Sequence, residues 1–143
     1  MGKVKNILDG KGNQVFSISP ETVVYDALVK LHEKNISALL VIENDKPIAM
    51  FTERDYARKV ILKGKSSKET LIKEIIETEL ITVPPECSIE DAMRLMTTKF
   101  IRHLPVIDND NLIGVVSIGD VVKYLIEEQQ FIISNMENYI KGT

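Results

Sequence analysis

Two stretches of this chain set a hydroxyl and a carboxylate three residues apart, directly after a run of apolar residues. They are Ala49-Met50-Phe51-Thr52-Glu53-Arg54-Asp55 and Gly114-Val115-Val116-Ser117-Ile118-Gly119-Asp120. The pattern reads as a strand running into a helix. Free N–H groups and the positive end of the helix dipole make such a junction attractive to phosphate, and the hydroxyl adds a donor. A carboxylate one turn in can accept both hydroxyls of a ribose, the role an acid plays in dinucleotide folds. The same spacing also describes a plain helix start, with Thr52 or Ser117 as the cap and Asp55 or Asp120 completing the box. Its recurrence in two places favours a binding role, because caps vary freely among Ser, Thr, Asp and Asn.

A second candidate is Ile101-Arg102-His103-Leu104-Pro105-Val106, whose counterpart is Ile36-Ser37-Ala38-Leu39-Leu40-Val41. Arg and His at the start of an apolar strand are unusual, since charge is seldom buried without a partner. An anionic ligand would supply one; a salt bridge from Arg102 to a neighbouring acid, with His103 a satisfied neutral donor, is the alternative. Other residues offer less. His32 has no second His or Cys placed to complete a metal site. Cys87 and His103 show no spacing of a nucleophile with its base. Neither a Walker loop nor Gly-x-Gly-x-x-Gly occurs. Asp55 and Asp120 stand without an electrophile-stabilising neighbour, so the sequence predicts no enzyme.

What must position these residues is a duplication. Phe16–Ile61 aligns with Ile81–Ile126 without a gap, 65 residues apart, with 14 identities in 46 positions. Pro20 falls on Pro85, Asp26 on Asp91, Leu39 on Leu104 and Asp55 on Asp120. A solenoid needs three or more copies, so two copies predict like subdomains about a pseudo-twofold axis. Each reads β-α-β-β-α. A short strand (Val15–Ile18; Leu80–Val83) meets a proline turn. A helix follows with Val24, Ala27, Leu28 and Leu31 on one face, matched by Ile89, Ala92, Met93 and Met96, and Ser88 with Asp91 predicts a capping box in the second copy. Strands at Ile36–Ile42 and Leu104–Ile107 turn at Asn44-Asp45 and Asn109-Asp110 into strands at Ile48–Phe51 and Leu112–Val116. Asn and Asp tolerate the left-handed backbone that a tight hairpin needs. Gly64-Lys65-Ser66-Ser67-Lys68 reads as a polar, flexible linker. The expected organisation is 1–65 for the first repeat with its N-terminal segment and linker, 66–127 for the second, and 128–143 for a helical extension. In the last helix Val122, Leu125, Gln129, Ile132, Met136 and Tyr139 form a short heptad seam, suited equally to its own domain or to a second subunit.

The net charge of −3 gives no basic excess for a nucleic-acid backbone. Residues 1–65 carry 11 Lys and Arg against 8 Asp and Glu, and residues 66–143 carry 7 against 13. A single cysteine, Cys87, fits a reducing compartment. No apolar run reaches membrane-span length, and the first residues are neither a signal peptide nor a myristoylation pattern. The expectation is a cytoplasmic protein with no nucleic-acid or membrane partner.

The repeat resembles a tandem pair of CBS domains, the cystathionine β-synthase-type or Bateman module. The residues that carry the resemblance are Gly114–Asp120, the twin ending Phe51-Thr52-Glu53-Arg54-Asp55, the Arg-His-Leu-Pro-Val strand at 102–106, and the proline-started helices at 20 and 85. It covers nearly all of the chain and is similar to small stand-alone CBS-pair proteins of bacteria and plant organelles. The resemblance implies an α+β fold of two repeats packed sheet to sheet, with an extended C-terminal helix. It implies two clefts for adenine nucleotides (AMP, ADP, ATP, NAD or S-adenosylmethionine), a homodimer, and regulation of an unknown protein effector. No cofactor is required; the nucleotide is a regulatory ligand. Asp55 and Asp120 would hold ribose hydroxyls, with Thr52 and Ser117 near ribose or phosphate. Asp120 and Gly119 would be framed by Ile36, Ser37 and Ala38, and Asp55 and Arg54 by Ile101, Arg102 and His103. The second set carries more positive charge and is expected to favour more phosphate. Ala49 departs from the family's glycine. The alternative is a dimerising scaffold with empty clefts.

Overall fold

The structure is a computed structural model and describes residues 2–141. The chain runs α1 (Val4–Lys11), β1 (Ser17–Ile18), α2 (Val24–Lys34), β2 (Ala38–Glu43), β3 (Lys46–Thr52) and α3 (Glu53–Lys59). Two short 3-10 turns follow at Ile61–Lys63 and Ile72–Glu74, then α4 (Ile89–Lys99), β4 (His103–Asp108), β5 (Asn111–Ser117) and α5 (Ile118–Ile140). This is the α+β pattern of two helix-and-strand repeats with a long last helix.

The helical apolar spacing is realised as burial. Val24, Ala27 and Leu31 of α2 and Ile89, Ala92 and Met96 of α4 are all in the core. In each hairpin the inward residues are buried, including Leu39, Val41 and Phe51 in the first and Leu104, Val106 and Val116 in the second. The turns hold Asn44, Asp45, Asn109 and Asp110 at φ between 50 and 66°, the paired left-handed conformation that those residue types accept. Asn35 and Phe100 also have positive φ, where they end α2 and α4; Phe100 is the odd one, a bulky, exposed side chain at a position that suits Gly or Asn.

Three expectations are corrected. The strand at Leu80–Val83 shrinks to a single parallel bridge, Val83 with Val106. In the first repeat Leu40 N donates to Phe16 O; the aligned donor is Pro105, which has no N–H, so the equivalent bond to Ile81 cannot form. At Ser88 only half of the box exists: its Oγ accepts from Asp91 N, while the Asp91 carboxylate turns to Arg94 at 2.9 Å. The Gly64–Lys68 linker is tied down. Ser67 O and Thr70 O accept from Tyr25 N and Val24 N, Thr70 Oγ1 donates to Ser66 O, and Lys68 lies over the Tyr25 ring. The linker thereby satisfies orphan donors at the start of α2, which has no side-chain cap.

Packing groups the segments across the repeat division. Two units form: Gln14–Ile81, and the segment up to Asn13 with the residues from Thr82 onward. By contact, residues 2–13 therefore pack with the second repeat and residues 66–81 with the first. The reason is a second, unexpected duplication. Ile72 N donates to Thr22 O and Lys73 N to Pro20 O, while Val4 N donates to Cys87 O and Lys5 N to Pro85 O. Ion pairs repeat the pattern, Lys73 with Glu21 at 3.0 Å and Lys5 with Glu86 at 3.2 Å. Each repeat is clamped by a short apolar segment, Ile72-Ile75-Ile76 for the first and Val4-Ile7-Leu8 for the second. Each clamp precedes the other repeat in the sequence.

Candidate functional site

The two hydroxyl-x-x-Asp stretches are the starts of α3 and α5, and each forms a complete capping box. Thr52 N donates to Asp55 Oδ2 at 2.9 Å, and Asp55 N returns a bond to Thr52 Oγ1 at 3.2 Å. Ser117 N donates to Asp120 Oδ2 at 2.8 Å, and Asp120 N to Ser117 Oγ at 3.1 Å. The capping alternative is thus realised in both copies. It does not use the carboxylates up: the Asp55 and Asp120 side chains keep 24% and 25% of their exposure. A carboxylate fixed by a backbone amide is an oriented acceptor, and its remaining lone pairs stay available.

The strand starts lie beside these boxes. Ala38 pairs with Thr52 and His103 with Ser117 across the two hairpins. Ser37 O accepts from Glu53 N, and Arg102 O accepts from Ile118 N at 2.9 Å. In the first unit Ile36 and Ala38 are half-buried, whereas Ser37 and Arg54 are exposed. In the second unit Ile101 and His103 are half-buried, whereas Arg102 and Gly119 are exposed. A Cβ at Gly119 would meet only Ser117 Oγ, at 3.6 Å, so local packing does not demand glycine there. Ile36 also lines an open depression of about 470 Å³ with Leu28, Leu31, His32, Asn35, Glu53 and Tyr56.

Each Asp has a lysine that its motif does not contain. Lys11 of α1 donates to Asp120 Oδ2 at 2.7 Å and to Val115 O at 3.0 Å. Lys59 of α3 lies 3.5 Å from Asp55 Oδ1 and is shared with Glu77 at 3.3 Å. Lys59 was legible as an i, i+4 partner. Lys11 was not, because its position depends on where α1 packs. Around Asp120, burial alone would raise the carboxyl pKa, but the Lys11 ammonium and the Ser117 donors outweigh it and hold it below the ordinary value. Burial pushes the His103 pKa down; Lys11 and Arg102 act the same way, and the Asp120 carboxylate opposes them. Within its own unit the Asp120 box is therefore flanked by Lys11, Arg102 and His103.

The direction at His103 gives a pH prediction. With a folded pKa below its ordinary 6.5, His103 takes up its proton in the unfolded chain first as pH falls. Stability should be unaffected above about pH 6.5 and decline as pH drops below it. Asp120 adds its own loss only at much lower pH. Urea unfolding of the native chain and of His103→Gln at pH 7.5 and 5.5 checks this. The variant should lose less stability on acidification; equal losses would remove His103 as the cause.

Gly114 and Ala49 occupy the same place in the two repeats. A Cβ on Gly114 would lie 2.7 Å from Leu8 Cδ2, so the glycine admits the α1 clamp. Ala49 is packed in the core that contains Ile72 and Ile75. The departure from glycine at Ala49 thus accompanies a different clamp. Among the described residues no group of His, Cys, Asp and Glu is placed to hold a metal ion, and no helix is long and apolar enough to cross a membrane.

Paired boxes on a duplicated α-β-β-α frame match what is known elsewhere. The family model for the CBS domain matches residues 7–62 and 72–127. The chain belongs to the CBS-domain family. It carries two CBS domains in tandem, the arrangement of a regulatory CBS-pair module. Its relatives include the mitochondrial CBS domain-containing protein CBSX3 of Arabidopsis thaliana, 42% identical over 127 residues, 85% of this chain and 62% of that protein. The chain therefore spans under two thirds of that relative's length. The CBS domain-containing protein YhcV of Bacillus subtilis is 33% identical over 82% of this chain and 84% of its own. A solved structure of a protein with CBS domains from Burkholderia ambifaria superposes with a TM-score of 0.86 at 43% identity, covering 90% of this chain and 96% of that one.

Proposed function

We propose that this CBS pair is a homodimeric sensor that binds an adenine nucleotide and passes its ligand state to a protein effector. Ribose hydroxyls are accepted by Asp55 and Asp120, with Thr52 and Ser117 at ribose or phosphate. Ile36, Ser37, Ala38, Arg54, Ile101, Arg102, His103 and Gly119 supply the remaining contacts. The observation that supports this most is the pair of equivalent boxes, each presenting a carboxylate that is oriented by backbone yet still partly exposed. Lys11 beside Asp120 and Lys59 beside Asp55 set an ammonium next to each motif, so a positive group is available to ligand phosphate at both. Signalling then follows as a population shift, limited by the ligand's differential affinity for two arrangements of the protein.

One observation favours a second reading, a dimerising scaffold whose sites are filled by side chains: both carboxylates already have a lysine partner. Thermal unfolding with AMP, ADP, ATP, NAD, NADH and S-adenosylmethionine at millimolar concentration separates the two. A ligand recognised only by the folded protein raises the midpoint by mass action, and at least one of the six should do so. Six unchanged midpoints would leave the scaffold.

A further inference from the structure

The two ends of α1 are fastened by different means. Its first turn is held through backbone: Val4 N donates to Cys87 O at 2.8 Å, Lys5 N to Pro85 O at 3.0 Å, and Ile89 N to Gly2 O at 3.1 Å. Val4, Ile7 and Leu8 of the helix are buried. Its last turn differs. Residues 9–13 are all exposed, and the tie there is a side chain, Lys11, whose Nζ donates to Asp120 Oδ2 at 2.7 Å and to Val115 O at 3.0 Å. After Lys11 the chain turns at Gly12, with φ of 93°, and enters the other unit at Gln14.

We infer that Lys11 is a latch between α1 and the ligand site at Asp120, so that a bound phosphate-bearing nucleoside holds the end of α1 more firmly. The coupling rests on the nucleotide reading above; the latch itself does not. Asp120 Oδ2 accepts from both Ser117 N and the ammonium. Neither bond uses Oδ1, the oxygen that a ribose hydroxyl would reach. An ammonium has three N–H donors, and Asp120 and Val115 take two. The third can go to a ligand phosphate without breaking either bond, and the paired charges make it a strong one. A nucleoside without phosphate occupies Asp120 and adds no tie. At Asp55 the lysine comes from the same helix, α3, so a phosphate there recruits no second element through it.

Native-state hydrogen exchange of the full chain, beside Lys11→Met and Lys11→Arg, tests both parts with ATP and adenosine as probes. Without nucleotide, the amides of residues 9–12 should exchange about fivefold faster in Lys11→Met, the ceiling for a partly exposed ion pair. Val4 and Lys5 should keep their protection, which shows that the variant is folded. Native protection of residues 9–12 in Lys11→Met would overturn the latch, whatever the protein binds. Saturating ATP should slow these amides in the native chain and in Lys11→Arg, and leave them unmoved in Lys11→Met. Adenosine should slow them in none; an effect equal to that of ATP would overturn the role given to phosphate. ATP that binds by calorimetry yet leaves residues 9–12 unchanged would overturn the coupling and spare the sensor reading. ATP that does not bind the native chain would overturn both.

Discussion

Replacing Ile72 by Ala is expected to destabilise the first repeat, although the residue precedes the second. Ile72 is fully buried in a core formed with Val24, Phe51, Val60 and Ala49. Its backbone N–H is held by Thr22 O at 2.8 Å. Truncating a buried isoleucine to alanine costs about 2–5 kcal/mol, the upper end applying where the surroundings cannot collapse into the void. Both sides of this void are pinned. The Lys73–Glu21 pair and the Lys73 N–H on Pro20 O hold the clamp against the turn before α2. Native-state hydrogen exchange locates the loss, since local opening free energies report the unit that has been weakened. Protection should fall in residues 14–61. If it falls in residues 82–127 while the first repeat keeps its protection, the exchange of clamps between repeats is wrong. Val4→Ala is the mirror experiment and should weaken 82–127, by less, since valine has one methylene fewer to lose.

What the residues themselves disclosed follows the range of the interactions involved. The hairpins were legible because Asn-Asp pairs and apolar runs specify them locally. Helices α2, α4 and α5 were legible because each carries its own periodic face. The capping boxes were legible as a spacing of three, but not as to what else the carboxylates do. The clamps were not legible. Val4-Ile7-Leu8 is too short to read as an amphipathic helix, and its partners Pro85, Cys87 and Gly114 lie about 80–110 positions away. Lys11 was missed with it, since nothing near residue 11 announces Asp120. The linker was misjudged because Ser67 and Thr70 look solvated, whereas the uncapped start of α2 uses their carbonyls. The lost strand at Leu80–Val83 could have been anticipated from Pro105, whose missing N–H sits where Leu40 donates in the other copy.

Asp120→Ala is expected to separate the two roles that its carboxylate combines. Its Oδ2 accepts from Ser117 N at 2.8 Å and from Lys11 at 2.7 Å. Removing it should cost about 1 kcal/mol of stability through the weakened cap, a loss kept small by Ser117 Oγ, which still accepts from residue 120. Lys11 is 38% exposed and retains Val115 O, so its ammonium is not stranded. If Asp120 also accepts ribose hydroxyls, ligand affinity should fall by a further 1.5–3 kcal/mol, the range for hydrogen bonds to a charged group; at about 1.4 kcal/mol per decade this is roughly 10- to 150-fold. Asp120→Asn sharpens the result. The amide oxygen can still serve the cap, so stability should stay near native, while the lost charge weakens both the ribose bonds and the Lys11 pair. Calorimetric titration with whichever nucleotide raises the midpoint gives the affinities, and urea unfolding gives the stabilities. An Asn variant that binds as the native chain does, beside an Ala variant that only melts earlier, would make Asp120 a helix-start residue and nothing more.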